Sequence, residues 1–388
     1  MYSDLFWLKK TLYLYDNYGL LVVLIQALEV MKKCLFGYCI VFILLISLFS
    51  CMNRVMSDDK AERIRPLKDT IGFARYSWQI DSLMARMYPG GWKEHAGQPW
   101  KLVICPHDDY TYVGTLYPEL LQNVKAPNLF LIGVAHKAAK LHIEDSLVFD
   151  RYTSWKGPWK KVQVSPVREE LFNLLAKKYA IKSDTLQRVE HSLEAMIPYL
   201  QYFNRNITII PILVPSMSPD RMQECGKALA DAIRKVAKNH QWEWGIDYAI
   251  VSTTDAVHYG TEDWGGVNMA FFGCDEKGNI KAREHEAGII DSCLKDEIKP
   301  EKIRLFSKFT LNSDNFREYK WTWCGRYSVP VALYTAYYLN NDKPLSGTLV
   351  GYSTSITSAH IPVDDIGMGR TAIATACHWV GYAALGYK

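Results

Sequence analysis

The chain lacks a strong charge bias, a Cys-x-x-Cys pair, an internal repeat and an apolar run long enough to span a bilayer. Each absence removes a class of protein. With 45 Lys and Arg against 41 Asp and Glu, the formal charge of +4 is too small and too dispersed for a nucleic-acid surface. The longest apolar run, Leu35 to Phe49, stops short of the roughly 20 residues that a membrane-spanning helix needs. Nine cysteines are present at long, irregular spacings, which supports neither a zinc ribbon nor a thioredoxin-like motif. What is present is the balance of a globular chain: 49% hydrophobic and 22% charged residues over 388 positions, enough to bury a sizeable core.

The first informative segment is Met31-Lys32-Lys33, the apolar run, then Leu48-Phe49-Ser50-Cys51. A charged start, apolar middle and small-residue exit is the order of an export signal. Its ending resembles a bacterial lipoprotein box, which makes Cys51 the lipidated residue and Met31 the true start. The expectation is a protein tethered at the bacterial cell envelope through Cys51, on the periplasmic or surface side, with 1–51 as signal. The alternative is an uncleaved anchor helix. Residues 52–66 are polar and read as a tether, and 67–388 as one domain. Six cysteines remain in that body, and their pairing is open.

Five short apolar runs read as buried strands: Leu102 to Cys105, Leu129 to Val134, Ile207 to Val214, Tyr248 to Val251 and Thr348 to Tyr352. Between them Val167 to Tyr179, Pro219 to Ala237, Glu284 to Leu294 and Val329 to Leu339 have helical spacing or composition. His378 to Tyr387 is ambiguous between helix and strand. Strands alternating with helices imply an α/β fold, a mostly parallel central sheet flanked by helices. In such sheets functional groups gather at the carboxyl edge of the strands. Three strands end in polar residues there: Pro106-His107-Asp108-Asp109, Ala135-His136-Lys137, and Ser252 through Asp255 to His258. Taken singly, each histidine reads as a turn residue bonded to backbone, and Cys324 as a small buried hydrophobe. Coincidence at three strand ends favours a site.

The motifs Cys105-Pro106-His107-x-x-Tyr110, Gly133-x-x-His136, Glu190-His191-Ser192-Leu193-Glu194, Ser252-x-x-Asp255-x-x-His258-Tyr259-Gly260 and Cys324-Gly325-Arg326 occur in the order of the Memo family, which this chain resembles over most of residues 100–388. The resemblance implies a fold like that of class III extradiol dioxygenases, with a pocket at one sheet edge. It implies His107, His136 and Cys324 as ligands of one transition-metal ion, and His191, Asp255 and His258 as neighbouring catalytic groups. The chain departs from the family pattern at Asp108-Asp109, where Ala-Gly is usual, and at Lys137 and Met196, where histidines are usual.

Two imidazoles and a thiolate form a soft donor set, so copper or iron is favoured and zinc remains open. The resulting expectation is a metal-dependent redox enzyme, oxidase- or dioxygenase-like, acting on a small molecule. A zinc-dependent hydrolase, and a metal- or peptide-binding module without turnover, are the rivals. Other motifs dissolve on inspection. His285-Glu286 has no second histidine four residues on. Gly367-Met368-Gly369 reads as a turn. The stretch Tyr152, Trp155 and Trp159 with Lys156, Lys160 and Lys161 reads as a solvated loop whose rings pack on the body.

Overall fold

A computed structural model describes residues 62–95 and 97–388, with six helical positions between Val22 and Lys32. The export-signal and lipidation reading, with Met31 and Cys51, lies outside the described residues. The segment Glu62–Lys388 forms one unit without an internal division.

Its strands in chain order are β1 (Ile64–Arg65), β2 (Leu102–Cys105), β3 (Asn128–Val134), β4 (Leu147–Phe149), β5 (Ser154–Trp155), β6 (Val162–Val164) and β7 (Ala180–Lys182). They continue with β8 (Thr208–Val214), β9 (Tyr248–Thr253), β10 (His258–Gly260), β11 (Asp296–Ile298), β12 (Leu345–Thr354) and β13 (His378–Tyr387). The sheet order is β1-β5-β6-β8-β3-β9-β2-β13-β12-β11, with β10 on β13, β4 on β8 and β7 on β4. From β6 to β2 every pairing is parallel; β13, β12 and β11 close that side antiparallel. This is the α/β, mostly parallel architecture expected, consistent with an extradiol-dioxygenase-like fold.

The central strands read as unbroken apolar runs because both faces are covered. Leu102, Ile104, Phe130 and Ile132 face one core with the helices Pro219–His240 and Ser328–Leu339. Val103, Cys105, Leu129 and Leu131 face the other with Leu116–Leu121 and Ile197–Phe203. The helix Pro219–His240 starts where the Ser218 side chain accepts from Arg221 N, with Pro219 in its first turn, and ends at Gln241 in the left-handed region. It lies close to Ser328–Leu339: a Cβ at Gly226 would meet Tyr334 Cβ at 2.5 Å, so only glycine permits the approach.

Composition misplaced one boundary. Ile64–Arg65, inside the stretch read as a tether, pairs in parallel with Ser154–Trp155. The reason is a charge: Arg65 is buried, paired with Glu194, donates to the Glu190 carbonyl and lies 4.2 Å over the Trp155 ring. Trp155 is likewise a strand residue rather than part of a loop, whereas Trp159 is covered by Arg205 at 3.6 Å. His378–Tyr387 resolves as strand. Two cysteines far apart in sequence, Cys274 and Cys377, form a disulfide with Cα atoms 4.8 Å apart. Among the described residues, no helix is long and apolar enough to cross a membrane.

Candidate metal centre

Register explains why two of the polar strand ends meet. Cys105 of β2 pairs with Thr253 of β9, so His107 and Asp255, each two residues further on, emerge side by side. The His107 amide donates to Asp255 Oδ1 at 2.9 Å, and His107 Nε2 stands 3.6 Å from Asp255 Oδ2. One strand over, Ile132 of β3 pairs with Ser252, which carries His136 to the same edge. The His107 and His136 rings lie edge to face with centroids 5.2 Å apart, and His191 stacks on His136 at 4.8 Å.

Cys324 arrives from a different part of the chain. Val257 and Trp323 form an antiparallel bridge, and Thr322 donates through Oγ1 to the His258 carbonyl at 2.7 Å. Gly325 N donates to Thr254 Oγ1 at 2.8 Å, where a Cβ would clash at 2.3 Å. These links place the Cys324 sulfur 3.4 Å from His107 Nε2 and let it accept the Asp255 amide at 3.1 Å.

The three donors cluster closely enough to be candidates for a single ion. Ligands at 2.0–2.3 Å in a tetrahedron stand roughly 3.3–3.8 Å from one another. The His107–Cys324 separation of 3.4 Å is within that span, and one donor atom from each of His107, His136 and Cys324 lies within 4.8 Å of the others. Glu190 orients the second histidine: its carboxylate takes His136 Nδ1 at 2.8 Å and the His136 amide at 2.7 Å, leaving Nε2 for a ligand role. His136, Glu190 and His191 also cluster, as do Asp255, His258 and Cys324. Each of those groups reuses a member of the first. Glu190 already accepts from the His191 and Ser192 amides as well.

The electrostatics divide the imidazoles. Burial pulls His136 down, but Glu190 and Cys324 outweigh it and raise the ring to about 10. Burial, then the nearby histidines, push His107 well below the ordinary range, and burial with His136 brings His191 to about 4. Burial raises the Cys324 thiol, opposed by His136. Asp255 is buried and pushed well up, by burial and by Asp108. His258 stands at the mouth with its side chain 39% exposed and Nε2 3.8 Å from Asp255 Oδ2.

All six residues singled out from sequence thus line one edge of the sheet. Sequence reasoning assigned no role to Glu190, although it heads the Glu-His-Ser motif, nor to Tyr382, whose hydroxyl donates to Asp108 Oδ2 at 2.7 Å. Asp109, noted only as a departure, is buried and accepts from Thr371 N and Oγ1; burial and Asp108 raise it to about 7. Cavities of about 430, 300 and 240 Å³ all open onto His136.

An α/β sheet carrying two histidines and a cysteine at its carboxyl edge defines a protein with a metal-type pocket on an extradiol-dioxygenase-like frame. The profile of the family described as Memo-like protein matches residues 74–366, and the chain belongs to the Memo family. It is 28% identical over 169 residues to a MEMO1 family protein of Methanothermobacter thermautotrophicus, covering 42% of this chain and 56% of that one. A MEMO1 family protein of Methanosarcina mazei is 24% identical over 207 residues, covering 53% and 65%. One from Saccharolobus solfataricus is 28% identical over 165 residues, covering 40% and 52%. These matches span about half to two thirds of the length of the relatives.

Proposed function

We propose that the protein binds one transition-metal ion through His107, His136 and Cys324 and serves as a metal-dependent redox enzyme for a small molecule. The observation that carries this reading is the convergence of three donors with one imidazole already oriented by Glu190. A copper or iron ion held there by His107, His136 and Cys324 would supply one-electron chemistry. The chain's own groups then have separate tasks. Glu190 holds the Nδ1 proton of His136, so that Nε2 is the nitrogen that would give up its proton to an ion, and Asp255 holds the His107 backbone and faces His258. His258, partly exposed, and His191 are the groups able to carry a proton between the pocket and solvent.

Metal analysis of the purified full chain tests this. About one equivalent of copper or iron is expected, falling to background in a His107→Ala, His136→Ala double variant. Unchanged metal content in that variant overturns the site, and stoichiometric zinc with no redox response points instead to hydrolysis.

The envelope location rests on the signal-like order ending at Cys51, and the Cys274–Cys377 disulfide supports it because such bonds persist in oxidising compartments. Intact mass of the native protein should show residues 1–50 missing and Cys51 lipidated. A chain in the membrane fraction that still begins at Met1 or Met31 would sink that part.

A further inference from the structure

A cavity beside the metal-type site holds a guanidinium that, among the described residues, makes no ion pair with a carboxylate. Arg326 is 8% exposed and lines the cavity of about 430 Å³ that also exposes His136 and Cys324. Its faces are taken: the guanidinium carbon lies 3.5 Å from the Tyr319 ring and 4.5 Å from the Tyr327 ring. Its edge is only partly used, and the Tyr319 and Tyr327 side chains reach it as well. Nη2 donates to the Arg317 carbonyl at 3.0 Å, and Nε is buried with no hydrogen-bond partner. The one carboxylate lining the cavity, Glu144, is already engaged by Arg317 at 2.7 and 3.0 Å.

A buried cation without an anion is costly, and a guanidinium sandwiched between rings can meet a partner only at its edge. A planar carboxylate fits that edge, as it accepts two parallel N–H donors. Val134, Ile143 and Val214 give the cavity an apolar wall, while His142, Ser216 and Arg317 line it elsewhere. We infer that this cavity is a subsite for a small organic acid, a carboxylate with an apolar body, held by Arg326 with that body directed along the apolar wall toward His136 and Cys324. The inference rests on the metal reading only for what happens next; the carboxylate binding itself needs no ion.

The test uses benzoate, benzamide and inorganic phosphate with the full chain, by calorimetric titration, alongside metal analysis of the same sample. Benzoate is expected to saturate the protein at one site, benzamide to bind at least about tenfold more weakly, and Arg326→Gln to weaken benzoate by about tenfold or more, the loss of the charge-assisted pairing. Equal affinity for benzoate and benzamide, or no saturable benzoate binding, overturns the subsite without recourse to a variant. Phosphate displacing benzoate more strongly than other carboxylates do overturns the carboxylate assignment. Benzoate binding by protein that takes up no metal leaves the subsite standing and removes only the metal reading.

Discussion

Glu190, beside the histidine cluster, and Glu286, beneath the cysteine loop, are both almost fully buried, at 2% and 0% exposure, and both carboxylates are well supplied with donors. Glu190 accepts from the His136 ring and the amides of His136, His191 and Ser192. Glu286 accepts from the indoles of Trp321 and Trp323 and from the Val257 amide. Yet burial, which pushes both up, is overcome only at Glu190, held at about 2 with His136 as the main opposing influence, whereas Glu286 is pushed up to about 7. Neutral donors temper the cost of burying a carboxylate; a cationic imidazole reverses it. The first region is built to keep a charge, and the second to hold a loop.

Three changes would break or sharpen that contrast. The largest effect is expected at the charged pair. Glu190→Ala strands the His136 ring and three amides, one of them fully buried, so stability should fall by about 3–5 kcal/mol by denaturant titration, as when one partner of a buried ion pair is removed. Cobalt(II) affinity should drop by about 10- to 100-fold, because the ligand loses its orienting partner. Wild-type affinity in a folded Glu190→Ala protein would show that His136 is positioned by something else.

The next effect concerns pH, and the two glutamates give opposite slopes. Glu190 has a folded value below the ordinary 4.5, so its contribution is present above about 4.5 and is lost as pH falls toward about 2. Glu286 lies above 4.5, so its contribution is present below about 4.5 and is lost as pH rises through about 7. The second slope should amount to about 3 kcal/mol, from 1.4 kcal/mol per pH unit. Glu286→Gln should flatten it between pH 5 and 7, values set by roughly the span of the shift. An unaltered slope in that variant would assign it to another group.

The same contrast shows how far sequence carried. Central strands were legible because burial on two faces leaves continuous apolar runs, and His107 and His136 because they follow such runs directly. Strands of two or three residues, such as β1, β5 and β7, have no period to read. β13 was ambiguous because all but its first residue are buried, which erases alternation. Cys324 was placed by family resemblance alone; the bridge from Trp323 to Val257 that brings it to the histidines is a tertiary pairing across 66 residues, with no local signature. Glu286 sat in a helix of ordinary charged composition, its indole partners 35 and 37 residues away. The Cys274–Cys377 pair, 103 residues apart, was equally beyond spacing rules.

The smallest expected effect decides whether neutral donors alone set the Glu286 value. Tyr352 is close by: a methyl placed on Gly381 would meet both Glu286 Oε2 and the Tyr352 hydroxyl at 3.2 Å. That hydroxyl is buried with no hydrogen-bond partner. If it contributes nothing, Tyr352→Phe removes an unsatisfied polar atom at constant shape, and stability should change by less than about 1 kcal/mol. The fall in stability should still run from about pH 4.5 to about pH 7, the folded value of Glu286. A hydroxyl that donates to the ionised carboxylate would behave differently, because its loss raises the Glu286 value further and extends the fall to higher pH. Denaturation midpoints of wild type and Tyr352→Phe across the neutral range separate the two. An upper limit of the fall displaced from pH 7 would show that the glutamate beneath the cysteine loop has a fourth polar partner and is less unlike Glu190 than its indole bonds suggest.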